Sequence, residues 1–234
     1  MLARYEELTF IIPTLNEAGN INKVISSLMA RYKGARIIFA DDGSKDGTRE
    51  AIISWSKKYK GIELLDRSNE KVHGLTVSVI NAAMIVRTKY TIVMDADMQH
   101  PISRIEDIYK KLHDYDIVVG VRTHVRRWGW HRRLLSKGMA VFSYIVFKLR
   151  GKPTCNDMMS GFFGIRSDVF KRTVKKKGNR YIATGYKVLL DTLRLVDKPI
   201  SVGEVKYATF HMRKEGKSKF KLKIIIDALK STLC

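Results

Sequence analysis

The sequence predicts an α/β fold: a mostly parallel sheet covered by helices, in one main domain with peripheral helices. Three observations predict it. Short apolar runs alternate with stretches of helical periodicity through the first half of the chain. Turn-forming and acidic residues punctuate the ends of those runs. At 234 residues and 45% hydrophobic, the chain has the material to bury one ordinary core.

Leu8 to Ile12 reads as a buried strand that ends at Pro13. Ile21, Val24, Ile25, Leu28 and Met29 then recur at helical spacing, so a helix follows from about Asn20. Arg36 to Ala40 is the next strand, stopped by Asp41, Asp42, Gly43 and Ser44. Asp46, Gly47 and Thr48 start a second helix, with Ala51, Ile52 and Trp55 on its inward face. Ile62 to Leu65 is a third strand, and a helix runs from Gly74 towards Val86. Tyr90 to Met94 is a fourth strand, Ser103 to about His113 a helix, and Asp116 to Gly120 one more strand. Beyond Gly120 the texture changes. Arg126 to Arg133 packs Arg, Trp and His together, and an apolar stretch from Leu134 to Leu149 follows. Gly161 to Ile165 and Ile200 to Phe210 read as strands, separated by a basic loop from Lys171 to Arg180 and a helix near Tyr186 to Leu195.

The charge balance narrows the partners. Lys and Arg number 44 against 23 Asp and Glu, a net charge of +21. Such an excess implies an anionic partner: nucleic acid, an acidic membrane surface or a phosphorylated substrate. No RNA- or DNA-binding motif accompanies the charge, so nucleic acid is not an expected partner. Cys155 and Cys234 belong to no CxxC pair, which disfavours a zinc site or a disulfide framework and fits a reducing compartment. The N-terminus lacks the apolar stretch of a secretory signal, and no charge-free run reaches the roughly 18 residues of a spanning helix. The chain is expected at the cytoplasmic face of a membrane, as a peripheral protein.

Ligands of open α/β sheets bind outside the carboxyl ends of the strands. Pro13 to Glu17, Asp41 with Asp42, and Asp95 to Gln99 all fall at such ends. Asp95 and Asp97 are two apart, so on extended backbone both carboxylates point the same way, and Gln99 continues that spacing. Two carboxylates and an amide oxygen form a hard oxygen site for Mg²⁺ or Mn²⁺. Such a metal bridges diphosphate oxygens and neutralises the charge on a departing nucleotide. Read alone, the triplet is equally a polar strand end, and Pro13 to Glu17 and Asp41 to Ser44 are equally turns with Asp46 and Thr48 as caps. His73, His100, His124 and His131 lack metal-ligand spacing and receive no role.

Pro13-Thr14-Leu15-Asn16-Glu17, Asp41-Asp42-Gly43-Ser44-Lys45-Asp46-Gly47-Thr48 and Met94-Asp95-Ala96-Asp97-Met98-Gln99-His100-Pro101, in this order, resemble family 2 glycosyltransferases. Gly120-Val121-Arg122, Gly129-Trp130 with Arg132 and Ser136, Asp157 to Phe163, and Arg213 to Lys219 resemble the dolichol-phosphate mannose synthases and their polyprenyl-phosphate relatives. The resemblance implies the GT-A fold, a Rossmann-like, mostly parallel sheet flanked by helices, with peripheral amphipathic helices. It implies inverting transfer of a sugar, mannose from GDP-mannose foremost, onto dolichyl or polyprenyl phosphate with a divalent metal. Carried over by position, Pro13, Leu15, Glu17 and Asp42 line the nucleotide pocket, and Asp95, Ala96, Asp97 and Gln99 hold metal and diphosphate. Arg122, Arg213 and Lys219 grip the donor, and Arg132, Arg133 and Ser136 meet the acceptor phosphate. Asp97, Arg122, Arg132 and Arg213 are the expected catalytic set. A hydroxyl acceptor, as in polysaccharide synthesis, is the alternative, and it requires a carboxylate base near the acceptor.

Residues 1–216 are expected to form the catalytic domain, with 131–149 an interfacial helix and 217–234 a C-terminal basic amphipathic helix. Met139 to Phe147 is apolar nearly all round, and 217–233 mixes Phe220, Leu222 and Ile224 to Ile226 with five lysines. Both suit an anionic membrane surface as well as a core. For firmer attachment the alternatives are a membrane-anchoring subunit or membrane helices following residue 234.

Overall fold

The structure, a computed structural model, describes residues 5–123, 130–183, 187–197, 199–208 and 232, with only the backbone for 130–137 and 139–140. Strands β1 (Leu8–Thr14), β2 (Arg36–Asp41), β3 (Ile62–Asp66), β4 (Tyr90–Val93), β5 (Ile117–Arg122), β6 (Phe163–Arg166) and β7 (Val202–Tyr207) form a single sheet in the order β3-β2-β1-β4-β6-β5-β7. Only β6 runs against its neighbours β4 and β5; the other pairings are parallel. Helices α1 (Ala18–Arg31), α2 (Thr48–Lys58), α3 (Leu75–Ile85), α4 (Ile105–Lys111), α5 (Trp130–Leu149), α6 (Ser167–Lys177) and α7 (Val188–Leu195) surround it.

The alternation of β1 shows how the sheet is covered on both faces. Leu8, Phe10 and Ile12 are buried with Ile21, Val24 and Leu28 of α1 and Ile105 and Ile108 of α4. Ile11 faces the other way, into a cluster with Val79 and Ala83 of α3, Phe170 of α6 and Leu189 of α7. Among the described residues, no helix is long and apolar enough to cross a membrane. Cys155 is free and buried, and burial pushes its thiol well above the usual range.

The structure differs from the sequence expectations at three places. First, β1 continues through Pro13 to Thr14. Its pairing with β4 stops at Ile11–Val93, so Pro13 is flanked by β2 alone and its missing N–H interrupts no ladder on the β4 side. Second, the basic run from Lys171 to Arg180 is not a loop. It lies on α6 and a following 3₁₀ turn, because Val169, Phe170, Thr173 and Val174 bury one face while Lys175 and Lys176 stay in water. Third, residues 95–99 do not stay extended: Met98 has φ 58°, and the chain turns back so that the Gln99 N–H donates to Asp97 Oδ1 at 3.1 Å.

Candidate active site

The carboxyl ends of β1 and β2 are tied together by short polar side chains. Asp41, fully buried, accepts from Thr14 Oγ1 (3.0 Å), Ser44 Oγ (2.5 Å) and the backbone N–H groups of Gly43 and Ser44. Asn16, at φ 58°, donates its N–H to Ser44 Oγ (2.8 Å) and accepts from the Lys45 N–H (2.9 Å). The N-terminus of α1 borrows side chains from the start of α2: Glu17 N–H donates to Thr48 Oγ1 (2.8 Å) and Ala18 N–H to Asp46 Oδ2 (3.1 Å). Burial works to raise the Asp46 carboxyl, but its bonds from Thr48 and Ala18 hold it below the usual range. Asp46 Oδ1 also accepts the Thr48 N–H at 3.1 Å, so this carboxylate serves the starts of both helices, while the N-cap position of α2 is Gly47, with no side-chain cap bond. Pro13 is buried, Leu15 is exposed, and Glu17 is half-buried with its carboxylate accepting from Asn20 Nδ2 at 2.7 Å.

Asp42 faces inward. Its Oδ1 takes Arg67 Nη1 at 2.5 Å and lies 3.1 Å from His73 Nδ1, while its Oδ2 accepts the Gly74 N–H at 2.6 Å. Arg67 is only 2% exposed and also donates to Ser78 Oγ and the Val72 carbonyl. The carboxylate thus anchors the segment between β3 and α3. Gly74, at φ 141°, packs so closely on the Ala183 carbonyl that a Cβ would stand 2.5 Å from that oxygen.

Beyond β4 the turn carries Asp95 and Asp97, both half-buried, around a buried Ala96 whose methyl belongs to the core. Ala96 therefore offers a ligand only its backbone. Asp95 Oδ2 lies 3.1 Å from His100 Nε2, and His100 Nδ1 lies 3.2 Å from the Tyr207 hydroxyl. The imidazole stacks on Phe162, with centroids 5.0 Å apart. His100, to which the sequence assigns no role, is therefore the clamp that orients Asp95. Among the described residues no group of three or more His, Cys, Asp or Glu side chains gathers as a ready metal cage. Two half-buried carboxylates nevertheless fit Mg²⁺ or Mn²⁺, because such ions take one or two protein carboxylates and fill the shell with phosphate oxygens and water. Gln99 lies half-buried on the same turn, its backbone N–H donating to Asp97 Oδ1.

Arg122 closes the site from β5. Its Nε and Nη2 donate to the two oxygens of Asp157 at 2.9 and 3.3 Å. Burial opposes the charge on Arg122, but Asp157, with Tyr207 and Asp95 adding to it, raises the guanidinium above its ordinary range. The Tyr207 hydroxyl is also raised, by burial first; Arg122 opposes this, and Asp157, Asp95 and Asp97 reinforce it. Tyr207 pairs with Arg122 across β7 and β5 and is joined through His100 to Asp95, which brings these groups to one end of the sheet. Ser160 fixes the approach: its Oγ donates to the Gly120 carbonyl at 2.7 Å. A Cβ on Gly120 would meet Phe162 at 2.5 Å, so only glycine fits there.

Pro13, Leu15, Glu17, Asp42, Asp95, Asp97 and Arg122 thus all lie along the carboxyl edge of the sheet. Arg132, Arg133 and Ser136 lie on α5, with their side chains outside the described residues, and Arg213 and Lys219 lie outside them altogether. Arg67, Asp157 and Tyr207 are site residues to which sequence reasoning assigned no role. Asp157 had a signal, as the start of the run to Phe163, whereas nothing near Arg67 or Tyr207 in the sequence announces their partners.

Residues 9–174 match the family described as Glycosyl transferase family 2. The chain is 29% identical over 237 residues to the dolichol-phosphate mannosyltransferase of Saccharomyces cerevisiae, covering 95% of this chain and 84% of that protein. It is 32% identical over 232 residues to the dolichol-phosphate mannosyltransferase of Pyrococcus furiosus, covering 96% of this chain but 62% of that longer protein. Among solved structures it is similar to mannosyl-3-phosphoglycerate synthase from Rubrobacter xylanophilus, with a TM-score of 0.61 at 15% identity over 96% of this chain and 72% of that one. It is also similar to glucosyl-3-phosphoglycerate synthase from Mycobacterium tuberculosis in complex with Mn²⁺, UDP-glucose and phosphoglyceric acid, with a TM-score of 0.60 at 14% identity over 97% and 78% of the two chains. The shared architecture is the GT-A fold.

Proposed function

The chain belongs to glycosyl transferase family 2 and is a glycosyltransferase, and we propose that it moves a sugar from a nucleotide diphosphate-sugar onto a polyprenyl phosphate such as dolichyl phosphate, with inversion. Mannose from GDP-mannose is the leading donor, by analogy with the yeast and Pyrococcus relatives. The observation that carries this reading is the placement of charge at the strand ends, where Asp95 is joined through His100 to Tyr207, the residue that pairs with Arg122 across β7 and β5.

In this reading Pro13, Leu15 and Glu17 border the nucleotide, with Asp42 shaping the pocket by holding Gly74. A divalent metal, Mg²⁺ or Mn²⁺, would be held by Asp95 and Asp97 and would neutralise charge on the nucleotide diphosphate as it departs. The acceptor phosphate oxygen forms its bond to the anomeric carbon while the bond from that carbon to the diphosphate oxygen breaks, its electron pair leaving with the nucleotide. The protein's own task is to bring two anions together. Arg122 supplies positive charge, joined by Arg213 and Lys219 on the donor side and by Arg132, Arg133 and Ser136 at the acceptor phosphate. In this reading the reaction takes place at a membrane surface, on its cytoplasmic face, and the exposed Val141 (58%), Ile145 (51%) and Leu149 (83%) of α5 suit contact with such a surface. Residues 217–234, a membrane-anchoring subunit or following membrane helices would add attachment.

One observation favours a second reading. Asp157 stands beside Arg122, where a base for a hydroxyl acceptor would stand, although both its oxygens accept from Arg122. The deciding experiment incubates the protein with Mg²⁺ or Mn²⁺, dolichyl phosphate in detergent and a panel of nucleotide-sugars, and identifies the product by mass spectrometry. A sugar phosphate ester of the lipid is expected. Product from sugar hydroxyl acceptors but none from lipid phosphate would overturn the first reading in favour of the second.

A further inference from the structure

Three rings gather beside the turn that carries Asp95: His100, Phe162 and Tyr207, all buried. Gly120 makes room for them, since a Cβ there would stand 2.5 Å from the Phe162 ring and 3.1 Å from the Tyr207 ring. The imidazole lies nearly flat on Phe162, at an interplanar angle of 17°, while Tyr207 meets His100 and Phe162 edge-on, at 78° and 85°. This packing fixes the plane of the imidazole, and each ring nitrogen has a partner in that plane. Nδ1 lies 3.2 Å from the Tyr207 hydroxyl and Nε2 3.1 Å from Asp95 Oδ2.

The partners decide which atom donates. A carboxylate only accepts, so Nε2 carries the hydrogen. In a neutral imidazole Nδ1 is then an acceptor, and the Tyr207 hydroxyl donates to it. Burial raises that hydroxyl above its ordinary range, so it keeps its hydrogen. The bonds therefore run one way, from β7 through the buried ring to the turn after β4. A histidine serving the core alone would end on another buried group, whereas this one ends on a carboxylate whose side chain is 36% exposed. An exposed carboxylate samples several rotamers, and ordering it is part of the cost of binding a cation. Asp97 is restrained locally, by the Gln99 N–H, but Asp95 is restrained from a different strand.

We propose that Tyr207 is a positioning residue for Asp95, in the reading that gives Asp95 and Asp97 to a divalent cation: the Tyr207 hydroxyl fixes the Nε2–H tautomer of His100, and that N–H holds Asp95 ready for the ion. Hydrogen-bonding partners of metal ligands set metal affinity by about 10–100-fold. The hydroxyl acts on the donor side alone. Thr123 donates its N–H (2.9 Å) and its hydroxyl (3.1 Å) to the Tyr207 backbone carbonyl, so Tyr207→Phe leaves the chain that leads towards Arg132 held as before.

The test uses the full chain and the variants Tyr207→Phe, His100→Phe and both together. Mn²⁺ binding is followed by electron paramagnetic resonance of the free ion, with GDP or UDP present and the nucleotide's own binding subtracted, because diphosphate oxygens complete the coordination. Tyr207→Phe should bind Mn²⁺ about tenfold more weakly, with an unchanged melting temperature. His100→Phe should lose at least as much. The double variant should lose no more than His100→Phe, because the hydroxyl acts only through the ring. The Mn²⁺ concentration for half-maximal transfer should rise by the same factor in Tyr207→Phe, while the KM for dolichyl phosphate stays at the wild-type value. Wild-type Mn²⁺ affinity in Tyr207→Phe, or additive losses in the double variant, would overturn the proposal and leave the metal pair standing. Absence of Mn²⁺ binding by the unmutated protein would instead overturn the metal reading of Asp95 and Asp97, and the role of Tyr207 with it.

Discussion

At the β1–β2 corner polar side chains find partners at nearly constant sequence distance: Thr14 and Asp41 are 27 positions apart, Asn16 and Ser44 28, Glu17 and Thr48 31. Across β5 to β7 the distances scatter. Arg122 and Asp157 are 35 apart, Asn156 and Glu204 48, His100 and Tyr207 107. The corner is one βαβ unit whose turns lock each other through backbone N–H groups, so its polar residues are part of the fold. The far side is assembled from pairings between separate segments, and its polar residues orient one another. A change in the corner should therefore register first as lost stability, and a change at the far side as lost rate with the fold intact.

The largest expected effect belongs to the corner. Asp42→Asn removes the charge that faces Arg67 in the interior, and leaving a buried guanidinium without it costs about 3–5 kcal/mol. Urea unfolding should show a lower midpoint at unchanged slope. Replacing both partners, Asp42→Leu with Arg67→Met, should recover much of that loss. A drop below about 1 kcal/mol in Asp42→Asn would break the contrast between the two regions. Next comes Asp97→Asn on the β4 turn, which should lower transfer by roughly 10²–10³-fold while stability stays within about 0.5 kcal/mol. Excess chelator should do the same to the unmutated protein. Full activity in either case would remove the metal from the reading.

These contrasts also explain what could be read from the sequence. Strand ends, helix periodicity and the acidic turn are local signals, and β1 to β5 lie where apolar runs and turn residues predict them. Arg67 and Tyr207 were silent because their partners are chosen by the fold: Asp42 lies 25 positions from Arg67, and His100 lies 107 from Tyr207. The run from Lys171 to Arg180 reads as a loop because its lysines outweigh the short apolar face of Val169, Phe170 and Val174 in any simple reading of composition. The reversal at Met98 was invisible because a left-handed residue there carries no glycine to announce it.

On the far side, Asp157→Asn separates orientation from base catalysis. The pair is partly open to water, with 27% of the Arg122 side chain exposed, so the expected loss is modest, about 1–2 kcal/mol or roughly tenfold in rate. A phosphate acceptor loses its second proton near pH 6. The transfer rate should therefore rise through that pH and level off, and the variant should keep the same profile at a lower plateau. A variant devoid of activity that still folds and binds donor would identify Asp157 as a base and favour the hydroxyl acceptor.

The smallest effect tests whether the far side also carries the membrane surface. Val141, Ile145 and Leu149 recur at four-residue spacing along α5, and a row of that kind lies on one helical face. On the opposite face Ser143 bonds Thr232 and Phe147 is buried, so the outward row is left in water by a helix already fixed to the protein. Fully burying a Leu or Ile side chain contributes about 1.5–3 kcal/mol, and insertion at a headgroup boundary recovers only part of that. Ile145→Ser and Leu149→Ser should each weaken vesicle binding about fivefold, near 1 kcal/mol. Attraction between basic residues and anionic lipid is screened over about 8 Å at physiological salt, whereas apolar insertion is not. Both variants should therefore leave the salt dependence of binding unchanged while lowering its level, in detergent-free flotation with phosphatidylglycerol vesicles. A changed salt slope, or wild-type binding by both variants, would show that the apolar row of α5 does not meet the bilayer and that charge alone brings this face to the membrane.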